Sequence, residues 1–230
     1  MDLSSLKTAL ASAWTVARES FLFKIVGCFL ILQAYRNFMF NRALPKVAGK
    51  TVFISGGSSG IGEQLCKDCV KAGAAKVIIA ARRLDELERV KRESERPERV
   101  MVFQLDLADP KQVSIACTKL FERENVDVLI NNGGLSQRDT FEDLDFAACQ
   151  HLMNVNCLAH IAVTKAVLPG MIKRKGGQIV NILSVSGIVG LPCRTMYSAS
   201  KFALSGFGKA LRPEVKEHGI EVCQVYPGYV

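Results

Sequence analysis

From residue 50 onward, short runs of uninterrupted apolar residues alternate with longer stretches in which apolar positions recur at helical spacing. The runs fall at 51–55, 76–80, 100–104, 127–130, 178–183 and 221–226. Each has strand length, and segments such as Val77-Ile78-Ile79-Ala80 show no polar alternation, so the strands are expected to be buried on both faces. Six such strands with intervening helices predict an α/β fold: a doubly wound, mostly parallel sheet whose ligands sit at the carboxyl ends of the strands. The charge-rich piece at 82–99 is read as a solvated helix face and loop.

The N-terminal segment follows a different pattern. Leu3, Leu6, Leu10, Trp14, Ala17 and Phe21 recur at helical spacing and predict an amphipathic helix; an apolar run at 21–35, interrupted by Lys24, follows it. A comfortable bilayer crossing takes about 20 apolar residues, and this run is shorter. Three readings stand open: a single spanning anchor in which Lys24 and Arg36 snorkel and residues 38–40 extend the span, an interfacial helix or hairpin, and a soluble packing or targeting segment. The spanning anchor is favoured. The expected organisation is an amphipathic, membrane-anchor segment at 1–48 and one globular domain at 49–230.

Charge reinforces that division. Of the formal net charge of +8, residues 1–50 hold seven basic side chains against two acidic ones, or +5. The basic balance therefore points to a membrane and not to nucleic acid, since the remainder has no basic stripe interleaved with aromatics. If the run spans, Arg36, Arg42, Lys46 and Lys50 follow it, and the positive-inside tendency then leaves the domain facing the cytosol. Eight irregularly spaced cysteines, mostly inside apolar segments, fit a reducing compartment better than a disulfide framework. Cys66-Lys67-Asp68-Cys69 has redox spacing, but it falls in a helix expected to pack on the sheet and is read as core. No metal site is expected.

Two motifs carry chemistry. Ser55-Gly56-Gly57-Ser58-Ser59-Gly60-Ile61-Gly62 lies between a predicted strand and a predicted helix, where glycines let the backbone turn and approach a pyrophosphate at the helix N-terminus. After the second strand comes Ala80-Ala81-Arg82-Arg83, where a carboxylate would select NAD; the guanidiniums, Arg82 first, favour the 2′-phosphate of NADP. Asp106 and Leu107, past the third strand, are placed to meet the adenine. Asn131-Asn132-Gly133-Gly134 would line the floor of the cleft. The second motif is Tyr197-Ser198-Ala199-Ser200-Lys201: a phenol and an ammonium four residues apart share one helix face and make a proton-transfer pair.

With these residues in hand, the chain from 50 to 230 resembles the short-chain dehydrogenase/reductase family. Ser55 stands for the threonine of the family's Thr-Gly-x-x-x-Gly-x-Gly, with Gly56, Gly60 and Gly62 kept; Gly133 stands for the alanine of its Asn-Asn-Ala-Gly. Asn156, Ser184, Tyr197 and Lys201 match the catalytic tetrad, and Pro227-Gly228 the Pro-Gly after the sixth strand. The leader and the stretches at 168–175 and 197–204 look most like the membrane-anchored member 7 and 7B group. The resemblance implies hydride transfer between NADPH and a carbonyl. Tyr197 would be the acid, Lys201 would support it and hold the nicotinamide ribose, Ser184 would steady the oxyanion, and Asn156 would hold a relay water.

It also implies a Rossmann-type fold, attachment to the endoplasmic reticulum membrane, and a homodimer through helices near 146–170 and 197–211; the leader, by placing the cleft beside dissolved lipids, points to a lipophilic substrate such as a steroid, retinoid or long-chain ketone. The family pattern continues past the Pro-Gly into a substrate lid and a seventh strand. Ending at Val230, this sequence is read as C-terminally truncated, and the alternative function is a non-catalytic, membrane-tethered NADP-binding protein. Pro213 is expected to remove one hydrogen bond from its helix without disturbing Tyr197 and Lys201.

Overall fold

A computed structural model describes residues 47–228. The readings of the N-terminal leader lie outside the described residues. In chain order the elements are β1 (Thr51–Ser55), α1 (Gly60–Lys71), β2 (Lys76–Ala81), α2 (Leu84–Glu93), β3 (Val100–Gln104), α3 (Pro110–Phe121), β4 (Val128–Asn131), α4 (Phe146–Met153), α5 (Ala159–Arg174), β5 (Gly177–Ile182), α6 (Thr195–Lys216) and β6 (Ile220–Val225). All six expected strands are present. β5 and β6 start one residue earlier than the apolar runs suggest because Gly177 pairs with Ile220.

The sheet is parallel throughout, in the order β3-β2-β1-β4-β5-β6. Chain order reverses between β1 and β4, and the crevice above that junction is where such sheets bind ligands. Period-two alternation sends Phe53 to one face and Val52 and Ile54 to the other. Phe53 packs with Ile78, Leu129 and Ile179 beneath α3 and α5, and meets the Phe121 ring edge-on at 5.2 Å. On the opposite face Val52, Ile54 and Ile79 pack against Cys66 and Val70 of α1 and Leu87 and Val90 of α2. With both faces covered, each fully buried branched side chain contributes roughly 1.5–3 kcal/mol.

Asp109 starts α3 by accepting hydrogen bonds from the Lys111 and Gln112 amides, with Pro110 at the first helical position. Between α4 and α5 the helix widens into a π segment, Asn154–Leu158. The continuous helix Phe146–Arg174 is long and apolar enough to cross a membrane. Val163, Val167 and Met171, however, bury it against the sheet as a core helix. Pro213 sits inside α6, which continues to Lys216.

Candidate active site

β1 delivers Ser55, fully buried, to the junction with β4, where its Oγ accepts hydrogen bonds from the Asn132 amide (3.0 Å) and the Gly133 amide (3.2 Å). The Asn132 side chain donates back to the Ser55 carbonyl at 3.1 Å and the Gly56 carbonyl at 3.2 Å. The turn after β1 and the end of β4 are therefore laced together. Gly56 adopts φ +70, and a Cβ there would lie 2.5 Å from the Gly133 α-carbon; one on Gly62 would lie 2.1 Å from the Gly56 carbonyl oxygen. Only glycine lets the turn close this tightly and present bare backbone at the start of α1.

Above this turn lies a cleft of about 400 Å³. Gly56, Ser58, Ser59, Ile61, Arg82, Asp106, Leu107, Asn132 and Gly133 all line it. Ser55 and Gly62 support it from behind, and Gly60 is exposed at the start of α1. The cradle of bare glycine backbone, hydroxyls and two arginines fits a dinucleotide. Asp106 also turns its own loop, accepting from the Ala108 amide at 3.0 Å.

Ser184, Tyr197, Pro227 and Gly228 line a second cleft of about 370 Å³, together with Leu183, Val185, Leu191 and Arg194. Ile61 belongs to both clefts, so they meet at the first turn of α1. Ser184 caps a short turn by accepting from the Ser186 amide at 3.2 Å. The Arg194 guanidinium lies 5.6 Å from the Tyr197 ring centre and donates to Ser136 Oγ.

Lys201 and Asn156 lie deeper. Lys201 is 4% exposed; its Nζ donates to the Ile182 carbonyl at 3.1 Å and sits 5.9 Å from the Tyr197 ring centre. Burial brings its pKa down to about 8, opposed by Cys157. The π segment turns Asn156 fully inward. Its Oδ1 accepts from the Leu135 amide at 2.7 Å, and its Nδ2 donates to the Leu135 carbonyl and to Ser200 Oγ.

Several residues escape the sequence reading. Arg83, singled out there only as Arg82's neighbour, lines the first cleft and donates to Ser58 Oγ and Ser59 Oγ, each at 3.4 Å. Ser200, whose hydroxyl donates to the Tyr197 carbonyl, anchors Asn156; its place beside Lys201 is the signal that could have found it. His160, a lone polar ring on an apolar helix, lies against the Gly133 carbonyl. Leu135 and Val155 line the first cleft but carry no sequence signal. Cys66 and Cys69 are buried, and burial pushes their thiols up to about 12 and about 11, as core residues.

A family model described as short chain dehydrogenase matches residues 50–230. A Drosophila melanogaster protein, Dehydrogenase/reductase SDR family protein 7-like, is 38% identical over 97% of this chain and 71% of its own length. Human Dehydrogenase/reductase SDR family member 7 is 41% identical over 78% of this chain. The chain spans only 55% of that relative's length. A solved gluconate 5-dehydrogenase from Burkholderia cenocepacia, in complex with NADP and tartrate, superposes with a TM-score of 0.74 at 30% identity, covering 81% of this chain and 74% of its own. The chain belongs to the short-chain dehydrogenase/reductase family and, within it, is similar to members 7 and 7B.

Proposed function

We propose that the chain is a membrane-associated oxidoreductase that interconverts a lipophilic carbonyl and its alcohol with NADP(H). The observation that carries this reading is the meeting of two clefts at Ile61, one built on the glycine turn and one holding Ser184 and Tyr197. The family fold implies a nicotinamide cofactor, which when bound supplies or accepts the hydride. Tyr197, on the wall of the second cleft, hands a proton to the substrate oxygen in reduction and removes it in oxidation. Ser184 donates to the oxygen as negative charge develops there. Lys201, held by the Ile182 carbonyl, places its ammonium beneath the phenol; Asn156, clamped between Leu135 and Ser200, orders the chain of groups behind it.

Arg82 and Arg83 beside Ser58 and Ser59 favour a 2′-phosphate, hence NADP over NAD. Leu183, Val185 and Leu191 give the second cleft an apolar wall suited to a steroid, retinoid or long-chain ketone. The leader at 1–48 is assigned as the anchor, in the endoplasmic reticulum membrane with the domain at 49–230 facing the cytosol. NADPH oxidation with a panel of lipophilic ketones in detergent micelles tests the reading. Tyr197→Phe should lower kcat by about 100-fold or more while NADPH binding persists. Turnover that ignores Tyr197 would sink the assignment, and NADPH binding without turnover in the parent would favour a non-catalytic binder.

A further inference from the structure

His160 stands in the first turn of α5, four residues after Asn156, and is fully buried. Its Nε2 lies 2.6 Å from the Gly133 carbonyl oxygen, so that nitrogen carries the proton and donates. Nδ1 has no partner among the described residues. A charged ring would bury a second N–H without an acceptor and place a cation near Lys201. Burial, then Lys201, hold the imidazole neutral, its pKa down to about 4. The side chain is thus a fixed, uncharged, single-proton donor.

What it holds is the link between the two halves of the site. Gly133 is held on both sides, its amide by Ser55 Oγ and its carbonyl by His160. One residue on, a Cβ added to Gly134 would lie 3.2 Å from Asn156 Oδ1 and 3.6 Å from Lys201 Nζ. Leu135 then exchanges two hydrogen bonds with Asn156. The segment 133–135 thus lines the first cleft along its length and, through Leu135, also clasps Asn156. We propose that His160 is a positioning residue for the reaction: as a neutral Nε2 donor it fixes the Gly133 carbonyl and so sets the cofactor floor relative to Asn156 and Lys201.

This role rests on the nicotinamide chemistry proposed above, and binding and turnover in the 230-residue chain test the two separately. His160→Leu keeps bulk and removes the donor; His160→Gln brings an amide N–H to the place of Nε2. The Kd for NADPH and for NADH is read from nicotinamide fluorescence, and kcat and KM from reduction of a ketone turned over by the parent. His160→Leu should weaken both cofactors alike, by roughly 5- to 100-fold, as expected when a buried acceptor loses its donor. It should also lower kcat with little change in ketone KM, and His160→Gln should recover most of both losses. If His160→Leu does not fold, His160→Gln decides: near-parental affinity supports the role, and a loss as large as that expected for leucine, at parental melting temperature, overturns it. A parent that binds cofactor while both variants match it in Kd and kcat overturns this role alone. A parent that binds neither cofactor overturns the functional reading and this role with it.

Discussion

The proposed preference for NADP rests most directly on Arg83. Its guanidinium reaches Ser58 Oγ and Ser59 Oγ, so arginine and hydroxyls already converge on one spot at the mouth of the first cleft. Reversing its charge would place a carboxylate where a phosphate is expected. Arg83→Asp should lower kcat/KM for NADPH relative to NADH by roughly 10- to 100-fold, since a charge-assisted hydrogen bond is worth about 1.5–3 kcal/mol. Arg82→Asp should act in the same direction and more weakly. The ratio of catalytic efficiencies decides, and a ratio unmoved in both variants removes the arginines from the account. His160 carries a separate prediction in pH. Its pKa of about 4 lies below the ordinary 6.5, so between those values the unfolded chain takes up the proton first and stability falls on acidification. Glu63, held down to about 2 first by Arg89 and then by Lys67, loses its contribution only below about 4.5 and leaves the window above that to His160. Melting curves from pH 7 to 5 should show the parent losing more stability than His160→Gln, by something on the order of 1–3 kcal/mol. Parallel curves would mean that His160 is not buried neutral.

Among the elements, the turn from β1 into α1 is tightly constrained. Gly62 packs its α-carbon against the Gly56 carbonyl, which Asn132, just past β4, also holds by a hydrogen bond. Gly62→Ala should cost about 1–3 kcal/mol by overpacking and abolish measurable cofactor binding. Gly206, with nothing within 4 Å of an added Cβ on α6, provides the control: Gly206→Ala should be neutral to slightly stabilising. Calorimetry alongside fluorescence titration separates the two, and a Gly62→Ala protein that binds like the parent would show the contact to be soft. The same turn is braced from outside, where Arg89 of α2 bonds Glu63 of α1 at 2.9 Å and its own neighbours Glu86 and Glu93. These pairs are partly exposed and individually weak; as a network they tie α1 to α2 beside the cleft. The π segment at Asn154–Leu158 answers a different need. One widened turn directs Asn156 inward while Val155, Ala159 and Val163 stay in the core under the sheet.

For the whole molecule, the helix layer carrying α4 and α6 leaves large apolar side chains in solvent: Phe146 is 72% exposed, and Leu158 and Phe202 are each 44% exposed. A second copy of the chain packed through these helices is the partner proposed for them. Sedimentation in mild detergent should give a dimer for the parent and a monomer for Phe146→Asp with Phe202→Glu; a monomeric parent would remove the proposal. How much of this architecture can be read along the chain depends on the range of the forces involved. Strand runs, the glycine turn and the Tyr197–Lys201 pair are legible because strand alternation and helical spacing are properties of neighbouring residues. Asn156 and Ser184 come only with the family pattern, since nothing local distinguishes them from other small polar residues. Contacts between distant segments have no such trace. Arg83 meets Ser58 across 25 positions and His160 meets the Gly133 carbonyl across 27. The covalent order of the residues thus suffices for the elements and for the chemistry they carry. Which arginine reaches the hydroxyls, which imidazole supports the floor, and that both clefts meet at Ile61 were left to the folding of six parallel strands, because packing alone brings those atoms within hydrogen-bonding distance.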